Sequence, residues 1–149
     1  MILYRFASKH YSNPINGEGA RLWGGRWNAA GTPAVYCSGT ISLSLLELLI
    51  HSLNYDTLLE HNLIVIDVPI KNIHKIQITQ LKNDWQNDVH YSRFIGNEFL
   101  KQQSSLLLQV PSAIIPEESN FIINPKHKDF NKVKLSEVKS FTFDKRLFK

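Results

Sequence analysis

A chain of 149 residues with 43% hydrophobic side chains has the size of one domain and enough apolar content to pack a core, which excludes a disordered chain. The single cysteine excludes an internal disulfide, and the longest largely apolar run, Leu43 to Ile50, is too short to cross a bilayer and carries Glu47. The net charge of +4 leaves room for an acidic partner but brings no nucleic-acid motif with it, neither zinc spacing nor helix-turn-helix signature nor RNP-like strand.

Ile2 to Phe6 reads as a short apolar strand, and no signal-peptide pattern occupies the start of the chain, so a cytoplasmic protein is expected. Asn13 to Gly25 is rich in Gly and Asn and reads as a loop. After the turn Gly31-Thr32-Pro33, Ala34 to Cys37 is a short β-branched and aromatic strand. Ser38 to Asn54 is the best helix, with Thr40 or Ser42 as N-cap. Apolar residues surround nearly all of it, which predicts burial. Leu63 to Ile70 reads as a core strand, and His74 to Thr79 as a weaker one with Ile76 and Ile78 on one face. Tyr91 to Gln103 is helix-like, with Phe94, Ile95, Phe99 and Leu100 on one side. Leu106 to Val110 is a strand that stops at Pro111. Phe121 to Ile123 is another, and Ser140 to Asp144 a last one, alternating Phe141 and Phe143. No linker or repeat divides the chain, so a single domain over 1–149 is expected, of mixed α+β class.

The charge excess sits at the end. Between Lys126 and Lys149 eight lysines and arginines face only Asp129, Glu137 and Asp144. This is either a solvated surface or an attraction for an acidic partner or a polyanion.

Three residues stand out for chemistry. Glu47 lies inside Leu45-Leu46-Glu47-Leu48-Leu49-Ile50, where an unpartnered carboxylate would cost several kcal/mol. It is either a structural carboxylate satisfied by backbone donors or an arginine, or a group facing a cleft. In a cleft it could stabilise the oxocarbenium-like ribose formed when an N-glycosidic bond breaks. Arg26, set in Gly24-Gly25-Arg26-Trp27-Asn28, offers a planar fork of donors suited to phosphate oxygens, and the glycines let the backbone approach a ligand. The bland alternative is a surface arginine or one paired with Glu47. Arg5 reads evenly between the two. Tyr36 is either a core tyrosine or a ring that stacks on a planar base with its hydroxyl free. Ser112, just past a strand end, has no histidine at a nucleophile–base spacing and reads as a hydrogen-bonding group. Asn124 sits in a turn-like Asn-Pro. Cys37 reads as a small core residue, and the six histidines show no metal-ligand spacing.

Read in order, these stretches resemble the RES family, named for its Arg, Glu and Ser. They are Tyr4-Arg5; Gly24-Gly25-Arg26-Trp27-Asn28; Gly31-Thr32-Pro33-Ala34-Val35-Tyr36; Ser42-Leu43-Ser44-Leu45-Leu46-Glu47 with His51; Val110-Pro111-Ser112-Ala113; Asn120 to His127; and Phe143 to Leu147. The resemblance spans essentially the whole chain. Ser44 stands where a small apolar residue is usual.

The resemblance implies a fold similar to ADP-ribosyltransferase toxins, with strongly bent mixed β-sheets and flanking helices. It implies the toxin of a bacterial toxin–antitoxin pair, made beside an Xre-type antitoxin. Such a toxin depletes NAD by hydrolysis or phosphorolysis. The alternatives are transfer of ADP-ribose to a protein, or a basic binding module without enzymatic activity. Carried onto this sequence, Arg26, Tyr36 and Glu47 form the catalytic set: Arg26 with Arg5 on the phosphates or ribose, Tyr36 on nicotinamide, Glu47 on the oxocarbenium. Arg5, Ser112, Asn28 and Asn124 complete the substrate-binding set. No metal and no cofactor are expected, NAD being the substrate. The implied partners are the antitoxin, NAD and inorganic phosphate, with nucleic acid reached only through the antitoxin, no membrane, and room for a homodimer.

Overall fold

The computed structural model describes residues 1–11 and 13–148. Seven strands join one sheet: β1 (Ile2–Ser8), β2 (Val35–Ser38), β3 (His61–Asp67), β4 (Ile73–Lys75), β5 (Leu107–Pro111), β6 (Ser119–Ile123) and β7 (Lys134–Ser140). Their order is β4-β5-β6-β2-β1-β3-β7. Only β4 and β5 run parallel; every other pair is antiparallel. The helices are α1 (Glu18–Trp23), α2 (Ile41–Ile50), α3 (Tyr55–Leu58) and α4 (Val89–Gln102).

The consecutive apolar residues Leu107-Leu108 of β5 and Phe121-Ile122-Ile123 of β6 follow from burial on both faces. Leu107 and Ile123 pair across the ladder and join a core cluster with Leu3, Val35, Ile64 and Ile66. Their neighbours Leu108 and Ile122 point the other way, into a second cluster with Trp27, Trp85 and Phe99. Each such buried side chain contributes about 1.5–3 kcal/mol. The second cluster lies under α4, whose N-cap is Asp88, accepting from Tyr91 N–H at 3.1 Å.

Several expectations shift. The expected loop over 13–25 contains α1. Gly17 (φ 76°) and Gly24 (φ 73°) bracket that helix in the left-handed region, so glycines that look like breakers are its caps. Helix α2 begins where expected, with the Thr40 hydroxyl accepting from Leu43 N–H at 3.1 Å, but it ends at Ile50. Asn54 instead caps α3. Nor is α2 buried all round. Only Leu43 and Ser44 are buried, and Ile50 is 58% exposed, because one flank of the helix borders a large cavity and another faces solvent.

The His74 to Thr79 strand shrinks to β4, and Ile78 starts a 3-10 turn. The last strand is not at 140–144. Phe141 and Phe143 leave the sheet and pack on Phe6, with ring centroids 5.0 and 5.5 Å away. The edge strand is β7, exposed along its length and rich in charge, which suits an unpaired edge.

Candidate active site

The site is built from a loop, two strands and three helices around a cavity of about 1010 Å³. Among its lining residues are Arg5 (β1), Arg26 (loop), Tyr36 (β2), Glu47 (α2), Arg93 (α4) and Trp23 (α1).

The Gly24–Asn28 loop lies close against β2. A Cβ on Gly25 would stand 2.7 Å from the Tyr36 hydroxyl oxygen, so only glycine permits the approach. The Tyr36 hydroxyl donates to Asn28 Oδ1 at 2.7 Å and accepts from Trp27 N–H at 2.9 Å. Asn28 donates in turn to the carbonyls of Ala20 and Thr32, at 2.9 and 2.8 Å. Helix α4 holds the loop from behind through residues one turn apart. The Ser92 hydroxyl donates to the Arg26 carbonyl (2.6 Å), Arg93 Nε to the Gly25 carbonyl (2.8 Å), and Asn97 Oδ1 accepts from Ala29 N–H (3.1 Å). This clamp sets Arg26, whose Nη1 donates to the Gln86 carbonyl at 2.9 Å and whose guanidinium lies 5.9 Å from the Trp85 ring centroid.

Arg5 sits on the cavity wall beside Tyr36. Its Nη1 reaches the Tyr36 carbonyl at only 3.5 Å, and its Nε has no hydrogen-bond partner among the described residues. Burial draws its pKa below the ordinary guanidinium value. Among the described residues neither Arg5 nor Arg26 nor Arg93 is paired with a carboxylate. Burial also pushes the Tyr36 hydroxyl above its usual pKa and the Cys37 thiol up to about 12, so both stay protonated.

Glu47 is half-buried on the cavity side of α2. Its Oε1 accepts from Asn120 Nδ2 at 2.5 Å and from the Ser112 hydroxyl at 3.2 Å. Neither an arginine nor a backbone donor satisfies it among the described residues, as the bland reading of this carboxylate required.

The structure thus brings Arg5, Arg26, Tyr36 and Glu47 to one cavity and places the other named residues differently. Tyr36 does not keep a free hydroxyl, because the loop takes both of its bonding positions. Asn28 is fully buried and holds that loop. Ser112, also fully buried, sits behind Glu47 and touches it rather than the cavity. Asn124 does not line the cavity. It donates to the Leu100 carbonyl at 3.0 Å and accepts from Lys126 N–H at 3.1 Å, tying the turn after β6 to α4. Sequence reasoning gave no role to Arg93, Asn120 or Ser38, although Asn120 begins one of the stretches that carry the family resemblance. Only Arg93 had a local signal, since Gly96 inside a helix marks a face that something approaches closely. Among the described residues no group of three or more His, Cys, Asp or Glu side chains converges as a metal site would require.

The chain has relatives among known proteins. The family model described as the RES domain matches residues 2–144. The chain is 42% identical over 154 residues to "Toxin Res" of Photorhabdus laumondii, covering all of this chain and 98% of that one. It is 40% identical to "Toxin Res" of Yersinia enterocolitica, covering 99% of each. It is 30% identical to the "Prs ADP-ribosylating toxin" of a Sphingobium strain, covering 96% of this chain and 92% of that one. Among solved structures, the M. tuberculosis MbcT–MbcA toxin–antitoxin complex contains a chain of similar fold. The TM-score is 0.79 at 22% identity, over 95% of this chain and 84% of the other. The mixed α+β architecture fits the ADP-ribosyltransferase-like fold that the sequence resemblance implied.

Proposed function

This chain belongs to the RES family, and on that premise we propose that it is the toxin of a toxin–antitoxin pair and destroys NAD by breaking the bond between nicotinamide and ribose. One observation carries the reading. Three guanidinium groups without carboxylate partners among the described residues, Arg5, Arg26 and Arg93, line the same cavity as a carboxylate held by one oxygen. Cations left unpaired in a partly desolvated cavity are costly unless an anion visits it. A dinucleotide diphosphate supplies that anion in a form that planar guanidinium forks match.

The chemistry follows from the charges. As the C1′–N bond of NAD breaks, its electron pair goes to the ring nitrogen, and nicotinamide leaves neutral without needing a proton. The ribose is left as an oxocarbenium cation. Glu47 stabilises that charge, with more gain in the transition state than in the ground state. Water then adds at C1′ and loses a proton to give ADP-ribose, or phosphate adds to give the 1″-phosphorylated product. Tyr36, with its hydroxyl committed to the loop, offers its ring and keeps Arg26 in register.

A second reading uses the same site. ADP-ribose passes to a protein side chain, as the printed name of the Sphingobium relative suggests for that protein. Trp23, 79% exposed on the cavity wall, is a surface that an acceptor protein could meet.

The deciding experiment measures nicotinamide released from NAD by purified protein, with and without inorganic phosphate, against Glu47→Gln. Release that depends on phosphate means a phosphorylase, and release without it a hydrolase. Label passing from NAD to a protein band, with nicotinamide released but no free ADP-ribose or its phosphorylated form, moves the conclusion to the second reading. Wild-type rates in Glu47→Gln would sink the site assignment.

A further inference from the structure

Glu47 arrives on a helix, but its carboxylate is fixed from the sheet. Ser38 ends β2 and stands directly opposite Asn120 in the ladder with β6. Directly opposed residues on neighbouring strands have Cβ atoms roughly 4.5–5.5 Å apart, so a short hydroxyl can reach an amide. The Ser38 hydroxyl donates to Asn120 Oδ1 at 2.7 Å. That contact orients the amide, and Asn120 Nδ2 then faces Glu47 Oε1 at 2.5 Å. The opposite orientation would set a carbonyl oxygen against a carboxylate oxygen.

Ser112 donates to the same Oε1, and its own oxygen is held by accepting from the backbone N–H groups of Ile114 and Ile115, each at 3.1 Å. Both bonds to the carboxylate therefore fall on one oxygen. No described residue donates to Oε2. A carboxylate gripped by a single oxygen keeps one orientation and still offers the other oxygen, with its charge, to whatever occupies the cavity.

We infer that Asn120, oriented by Ser38, is a positioning residue for Glu47, holding Oε1 so that Oε2 is the oxygen presented to the ribose. This rests on the proposed chemistry at Glu47. Asn120 and Ser38 act through Glu47, not on the substrate. The Ser38–Asn120 pair is a cross-strand contact of the central sheet, so the rigidity of β2 and β6 is passed to a group on a more exposed helix.

The test uses Asn120→Asp, Asn120→Ala, Ser38→Ala and the Ser38→Ala/Asn120→Ala double variant. Two readouts are taken: kcat and KM for nicotinamide release as a function of pH, and the NMR titration of the Glu47 carboxyl carbon, assigned by its loss in Glu47→Gln. Asn120→Asp is nearly isosteric and keeps an acceptor for Ser38, so it should fold, with a lower melting temperature at neutral pH that recovers as the pH falls. It sets a second carboxylate against Glu47, and like charges at this range disfavour ionisation. The Glu47 titration midpoint and the acid limb of the activity profile should both move up, by about one pH unit or more. Asn120→Ala should lower kcat by roughly 10–100-fold with KM little changed, the usual scale for losing a group that orients a functional one. Ser38→Ala should cost less, and nothing further in the Asn120→Ala background, because the two act in series.

An unmoved Glu47 midpoint in Asn120→Asp overturns the inference. So does a raised KM at full kcat in Asn120→Ala, which would make Asn120 a substrate contact, or an undiminished Ser38→Ala effect in the double variant. If the wild type releases no nicotinamide even when candidate acceptor protein is present, the enzymatic reading falls, and the NMR titration still decides whether Asn120 governs Glu47.

Discussion

Gly96→Ala is a substitution whose sign separates local from tertiary reasoning. Gly96 lies inside α4 with ordinary helical backbone, and helix propensity alone makes alanine better there by about 1 kcal/mol. The structure says the reverse. A Cβ at Gly96 would stand 1.7 Å from the Trp27 carbonyl oxygen and 2.6 Å from its carbon. Ordinary contact begins near 3.4 Å, so the oxygen must retreat by about 1.7 Å (3.4 minus 1.7) or the helix must tilt away. These are backbone atoms, which have no alternative rotamer. Such a shift strains the Ser92-to-Arg26 bond at 2.6 Å and the Trp27-to-Tyr36 bond at 2.9 Å. Leaving a buried polar group unsatisfied costs about 1–3 kcal/mol, and overpacking a similar amount, against the 1 kcal/mol gained. Gly96→Ala should therefore lose about 1–5 kcal/mol net in urea denaturation, and nicotinamide release should fall further than stability explains because Arg26 moves with its neighbour. A variant as stable as the wild type, or more so, would refute the close approach of α4 to the loop.

Tyr36→Phe keeps the ring but deletes the oxygen that joins Trp27 to Asn28, and should cost about 1–3 kcal/mol in denaturant melts; a neutral effect would mean the loop is not held by that hydroxyl. Arg26→Lys keeps the charge and loses the fork, so KM for NAD should rise roughly 10–100-fold with kcat nearly kept; a fall in kcat at constant KM would move Arg26 from ground-state binding to the reacting centre. Alkaline stability should fall, because the buried Cys37 thiol holds its proton up to about pH 12 while the unfolded chain releases it near 9.0. The contribution is complete below about pH 9 and is lost as pH rises towards 12, at up to about 1.4 kcal/mol per pH unit, with Tyr36 acting in the same direction. Cys37→Ala should flatten the profile measured by urea midpoints between pH 8 and 11, and an unchanged slope would count against a buried thiol. Charge reversal of Lys134 and Lys139, both exposed on β7, should weaken antitoxin binding measured by calorimetry if an acidic segment docks there; equal affinity removes the basic edge from that role.

The β7 error shows what a period-two reading cannot see. Leu135 and Val138 are three residues apart, which matches no strand face. The ladder with β3 shifts register between Val65 and Ile66, so Val65 faces Glu137 while Ile66 faces Leu135 and Ser136 is the extra residue. With that bulge, Leu135 and Val138 fall on one face opposite Ile66 and Ile64, and Lys134, Glu137 and Lys139 on the other. The alternation is present but interrupted by one residue, and only the partner strand reveals where. The expected strand at Phe141 and Phe143 shows the converse: two aromatics alternate perfectly and still pack on Phe6 without joining a ladder.

The site was legible to the extent that its residues announce themselves chemically. An arginine between glycines and tryptophan, and a glutamate in an apolar helix, conflict with their surroundings, and conflict is visible in one dimension. Asn120 conflicts with nothing. It is the second residue of a strand, where a polar residue is ordinary, and its neighbour in space, Ser38, lies 82 positions away. What makes it informative is register: β6 must pair with β2 so that residue 120 meets residue 38, and α2 must cross so that Glu47 comes within a hydrogen bond of that pair. Each condition depends on strand order, which here places β6 beside β2 although the two are separated by most of the chain. A residue that acts only by orienting another carries no signature of its own, so in this fold the charged groups can be read from sequence and the neutral groups that hold them cannot.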